Sequence, residues 1–87
     1  MEEANAYVEI ANRRLHLRAQ EVSLGNYSAD LLIDGVPVLG TEGRDAMEDT
    51  FQPDTLENAK EDAESQLRAY LSLHKLEWPA DLKIEWQ

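Results

Sequence analysis

Between Ala6 and Ala19 the apolar side chains fall at every second position on either side of a short polar interruption. No other feature of this chain constrains its fold as strongly. Ala6, Val8 and Ile10 alternate with Tyr7 and Glu9, and Leu15, Leu17 and Ala19 alternate with Arg14, His16 and Arg18. Side-chain direction in a strand repeats every two residues, so the apolar set lies on one face of a hairpin. A two-residue turn at Asn12-Arg13 sets Ile10 opposite Leu15, Val8 opposite Leu17 and Ala6 opposite Ala19. On the polar face Glu9 then meets His16 and Tyr7 meets Arg18, both favourable pairs. Asn accepts the positive φ of such a turn; Arg13 in the second position is less comfortable, and a longer turn is the alternative.

A second hairpin follows the Gly25-Asn26 interruption. Tyr27 to Ile33 and Val36 to Leu39 flank Asp34-Gly35, a strong two-residue turn signal. This register puts Ile33 opposite Val36 and Leu31 opposite Val38. Pro37 has no backbone donor, so the fourth strand is expected to be short or to lie at an edge. The stretch from Gly40 to Pro53, GTEGRDAMEDTFQP, lacks clear periodicity. Connections of that length are often functional. Met47 and Phe51 are expected to tuck part of it against the core, with a short strand from Met47 to Phe51 as a variant.

Asp54 followed by Glu57 fits a capping box, and Leu56, Ala59, Ala63, Leu67, Tyr70 and Leu71 then recur at helical spacing. Glu57, Lys60, Glu61, Glu64 and Arg68 are assigned to the outer surface, with Lys60–Glu64 and Glu64–Arg68 at supportive spacing. Trp78-Pro79 closes this region. Leu82, Ile84 and Trp86 alternate with Lys83 and Glu85 as a closing strand. The expected fold is a single α+β domain over residues 1–87: an antiparallel sheet of four to five strands with one amphipathic helix packed on one face, order ββββαβ. In topology, the strands followed by TLENAKEDAESQLRAYL, Thr55 to Leu71, resemble the strands-then-helix module of the HicB-type antitoxins. The aspartate-proline-glycine segment expected between strand and helix in that family is absent.

At 87 residues there is room for one core, and about 60% of the unfolded chain's surface is buried in a domain of this size. There is no cysteine, which excludes disulfides, zinc-thiolate sites and thiol nucleophiles and suits a reducing, cytoplasmic setting. The acidic start, Met1-Glu2-Glu3, is unlike a signal peptide, and no apolar run approaches the roughly 20 residues of a membrane span. His16 and His74 have no metal-ligand spacing between them. Asp45, Glu48 and Asp49 lack the EF-hand pattern, and Gly40 and Gly43 do not form a phosphate loop. The serines sit in no nucleophile-elbow pattern. No cofactor, metal or catalytic residue is expected.

Charge is the feature with functional content. The net charge is −10, which disfavours direct binding to nucleic acid or an anionic membrane. Half of the 18 acidic residues lie between Glu42 and Glu64, whereas Arg13, Arg14 and Arg18 have no acidic residue among them. The molecule is therefore expected to be polarised, with an acidic loop-and-helix surface and a small basic hairpin patch. The expectation is a non-catalytic protein-interaction module that docks on a basic partner through Glu42, Asp45, Glu48, Asp49, Glu57, Glu61 and Glu64. Nucleic-acid mimics of the anti-restriction or anti-CRISPR type, and antitoxin or immunity proteins, work in this way. The alternative is a homo-oligomeric or accessory domain that uses a sheet edge or an apolar patch. Leu32, on the face away from the core, with Trp78 and Trp86 would supply that patch unless the tryptophans complete the core.

Overall fold

A computed structural model describes residues 2–38 and 53–87. Four strands, β1 (Glu3–Ile10), β2 (Arg13–Ser23), β3 (Asn26–Ile33) and β4 (Val36–Pro37), precede one helix, α1 (Leu56–Leu73). The sheet is antiparallel throughout, in the order β1-β2-β3-β4, so each strand pairs with its neighbour in sequence. The expected α+β architecture with one helix on one face is present. The expected strand between Met47 and Phe51, and the packing of those two residues, lie outside the described residues.

The first hairpin keeps its faces but not its expected register. Ile10 pairs with Arg13, Val8 with Leu15, Ala6 with Leu17 and Ala4 with Ala19. The turn is Ala11-Asn12, at φ 54° and 65°. Moving the turn one residue back puts Asn12 in the second positive-φ position and returns Arg13 to extended backbone. The strain at Ala11 is the smaller one. Because the slip changes each pairing by two residues, every apolar side chain stays on the core face. On the other face the pairs become Tyr7–His16, Asn5–Arg18 and Glu9–Arg14. The second hairpin follows the expected register, with Ile33 opposite Val36 and the Val38 N–H donating to Leu31 O at 2.8 Å. β4 is short and lies at the edge, as Pro37 requires.

One core forms between sheet and helix. Leu15, Leu17, Leu31 and Leu67 are fully buried, each worth about 1.5–3 kcal/mol of transfer free energy. Ala59 and Ala63 are also fully buried, and with no side chain beyond Cβ they let α1 lie close over β2 and β3. The helix starts one residue later than its capping pattern indicates. Thr55 is the N-cap, its hydroxyl accepting from the Asn58 N–H at 3.0 Å, and Asp54 instead accepts from the Asn58 side chain at 3.0 Å. At the other end the N–H of Leu76 reaches Leu71 O at 2.8 Å and that of Lys75 reaches Ser72 O at 3.2 Å, with Lys75 at φ 57°. This is a Schellman closure with lysine where glycine is usual.

The C-terminal segment departs from the expected closing strand. Leu82, Ile84 and Trp86 are half-buried and pack against the core, while Lys83, Glu85 and Gln87 are exposed, so the expected alternation is present. Only one residue joins the sheet: Gln87 and Asn5 exchange backbone hydrogen bonds of 2.8 and 3.1 Å. The segment is an extended strap packed on the core, not a laddered strand.

Candidate interaction surface

The outer face of α1 carries charged residues put to different uses. Glu64 Oε2 accepts from the Trp86 indole N–H at 3.0 Å, and the Lys60 ammonium lies 5.9 Å from the Trp86 ring centroid. One helical repeat on, the Arg68 guanidinium lies 4.6 Å from the Trp78 ring centroid. The expected Lys60–Glu64 and Glu64–Arg68 pairs therefore give way to contacts with the two tryptophans, which supply apolar area as well as partners. Lys60 also makes a 3.4 Å ion pair with Glu57, one turn back.

Other acidic residues of this region point to solvent. Asp54, Glu57 and Glu61 are exposed, and the Glu57 side chain retains 80% of its accessibility despite its ion pair. Of the seven acidic residues expected to dock a partner, Glu57 and Glu61 are exposed, Glu57 with Lys60 as its ion-pair partner. Glu64 is turned to Trp86, a bond that nothing in helical spacing could have signalled. Glu42, Asp45, Glu48 and Asp49 lie outside the described residues.

The expected basic patch does not assemble. Arg13 lies on the core-side parity of β2, and its guanidinium donates to the Tyr70 hydroxyl at 2.7 Å. Arg14, the next residue, points to the opposite face, as strand geometry requires. Arg18 forms a 3.1 Å ion pair with Asp30, whose side chain is 13% exposed. Arg18 Nε is buried with no hydrogen-bond partner.

The sheet face away from the core is a polar network. His16 stacks on Tyr7 with ring centroids 4.4 Å apart, and its Nε2 lies 2.7 Å from Asn5 Oδ1. Burial, then the neighbouring Arg18 charge, lowers the His16 pKa, against a smaller opposing effect of Glu3. Leu32 lies on this face, as expected, but is only 4% exposed. With Trp78 and Trp86 packed against the core, the apolar patch expected from these three residues does not form. The exposed large apolar side chains are scattered, at Tyr7, Val22, Leu24, Val36 and Leu73.

Among the described residues, open clefts of about 280 and 290 Å³ lie between Arg68 and Trp78 and along Tyr7, Glu9 and Arg14. Among the described residues no three His, Asp or Glu side chains gather to hold a metal, and no helix is long and apolar enough to cross a membrane. Comparison with protein-family models, curated proteins and solved structures finds no match to this chain.

Proposed function

We propose that this chain is a small, non-catalytic interaction module of the cytoplasm that docks an acidic surface on a basic protein partner. It would act as an inhibitor that imitates nucleic-acid phosphates, or as an antitoxin or immunity protein covering a basic site. The observation that carries this reading is the helix surface. Lys60 and Arg68 sit beside Trp86 and Trp78, while Asp54 ahead of the helix and Glu57 and Glu61 on its outer face are exposed to solvent. Exposed carboxylates contribute little to folding, yet they steer a cationic partner and accelerate its association. Glu57 and Glu61 supply the helical part of the docking surface, and Glu42, Asp45, Glu48 and Asp49 extend it in sequence. Glu64 acts indirectly, by holding Trp86.

The test is capture of a partner from host lysate by the wild-type chain and by the Glu57→Lys/Glu61→Lys variant, eluted with a salt gradient. The expected result is a basic protein released by moderate salt and lost with the variant, whose melting temperature stays close to wild type. Equal capture by both chains would remove the electrostatic basis of the proposal.

A further inference from the structure

The outward backbone groups of β1 follow from its pairing. In an antiparallel ladder, residues that exchange hydrogen bonds with one neighbour alternate with residues that face the other way. Asn5 faces outward, since it bonds to Gln87, so Tyr7 and Glu9 face outward as well. Neither has a backbone partner on that side among the described residues. The open cleft of about 290 Å³ lined by Tyr7, Val8, Glu9 and Arg14 runs along this same edge.

We propose that residues 82–87 are a strap that zips onto this edge as a fifth antiparallel strand and so controls whether β1 can accept a strand from elsewhere. The Asn5–Gln87 pair fixes the register. Two residues further along each chain, Glu85 meets Tyr7; two further again, Lys83 meets Glu9. Three independent features fit this register. Trp86, Ile84 and Leu82 fall opposite Ala6, Val8 and Ile10, on the core face against which they already pack. Lys83 comes to face Glu9, an opposite-charge pair across the new ladder. The outward N–H and C=O groups of Tyr7 and Glu9 find the partners that they lack among the described residues. A second copy of the chain fits this edge less well, because each copy carries a net charge of −10 and Gln87 already holds the position beside Asn5. The unzipped state is the arrangement seen here, with one pair made and the rest of the edge without a backbone partner among the described residues. In the zipped state the strap ends the sheet and blocks strand addition.

The experiment is residue-resolved amide hydrogen exchange by NMR on the full chain at two protein concentrations. Tyr7, Glu9, Lys83 and Glu85 amides are expected to exchange more slowly than the exposed turn amide of Asn12, equally at both concentrations. Lys83→Glu should lower protection at Tyr7 and Glu9 by about five-fold, and adding Glu9→Lys should restore it. Glu85→Pro removes the donor to Tyr7 O and its ring keeps the segment out of the ladder, so it should abolish protection at Tyr7 while leaving the Leu17 amide unchanged. Free exchange at Tyr7 and Glu9 in the wild type would overturn the proposal. Protection that rises with concentration would also overturn it, by assigning the edge to a second copy. So would protection indifferent to both variants.

Discussion

The β1 edge of the sheet and the outward side of β3, which the two-residue β4 covers only in part, are finished by different means. Along β3 every outward position has a partner: Tyr27 N–H donates to Pro53 O at 3.2 Å, Ala29 O accepts from the Gln66 side chain at 2.7 Å, Leu31 O accepts from Val38, and Ile33 pairs with Val36. Three different devices, the backbone before α1, a buried glutamine on the helix and the β4 hairpin, cover this side. Along β1, among the described residues, only Asn5 is matched on the outward side, and its partner is Gln87. An unpaired edge invites strand addition, and natural sheets cover or interrupt such edges. The outward side of β3 is closed from inside the fold, by groups fixed through the core. The β1 edge depends on a strap that is anchored by its side chains and touches the sheet with its backbone at one point.

The largest test of that contrast is Trp86→Ala. The indole packs on both parts of the core and is held by Glu64, so its loss should release the strap and cost about 2 kcal/mol. Urea unfolding measures the cost, and faster exchange at Asn5 should accompany it. Unfolding without any change at Asn5 would mean that the strap is not what holds the β1 edge. Gln66→Leu tests the β3 side: it leaves Ala29 O without its side-chain donor and should cost about 1–2 kcal/mol in the same assay, with the β1 amides unaffected. Glu64→Ala should cost about 1 kcal/mol by orphaning the Trp86 N–H, whereas Glu64→Gln keeps an acceptor and should change little. Lys75→Gly relieves the positive φ at the junction between helix and strap, and a gain of about 0.5–1 kcal/mol is expected.

The smallest effect concerns a side chain that links the two sides of the sheet. Tyr27, on β3, donates its hydroxyl to Glu2 Oε1 at 2.6 Å, beside the start of β1. That hydrogen bond, then burial and the charges of Glu2 and Glu21, raise the phenol pKa to about 12 from an ordinary 10. A folded-state pKa above the unfolded one means that the contribution is complete below pH 10 and is lost as the pH climbs through about 12. Ultraviolet titration of the phenolate should show this late midpoint, and Glu2→Gln should bring it earlier. A Tyr27 midpoint near 10 in the wild-type chain would mean that the tie to Glu2 does not hold in solution.

Much of this architecture is legible in the chain. Period-two alternation sets the faces of β1, β2 and β3, Asp34-Gly35 sets the second turn, and the Leu56–Leu71 stripe sets the buried side of α1. The misreadings share a cause. Asn12-Arg13 and Ala11-Asn12 both offer a two-residue turn with the same parity, and only the φ preferences of the residues involved choose between them. Asp54 and Thr55 are both good N-caps in adjacent positions. The candidate surface was less legible. Helical spacing groups Glu57, Glu61 and Glu64 as one acidic set, but the strap takes Glu64 away, and the strap arrives from a part of the chain that local pattern cannot place.

The sequence by itself determined which side chains share a face and where helix and strands lie, because those properties follow from backbone periodicity and short-range turn chemistry. Tertiary structure alone decided which charges remain free. Arg13, Arg18, Lys60, Glu64 and Arg68 each meet a partner distant in sequence, Tyr70, Asp30, Trp86 or Trp78. A charge is available to a partner only once long-range packing has settled its neighbours, and that packing depends on contacts that no local spacing encodes.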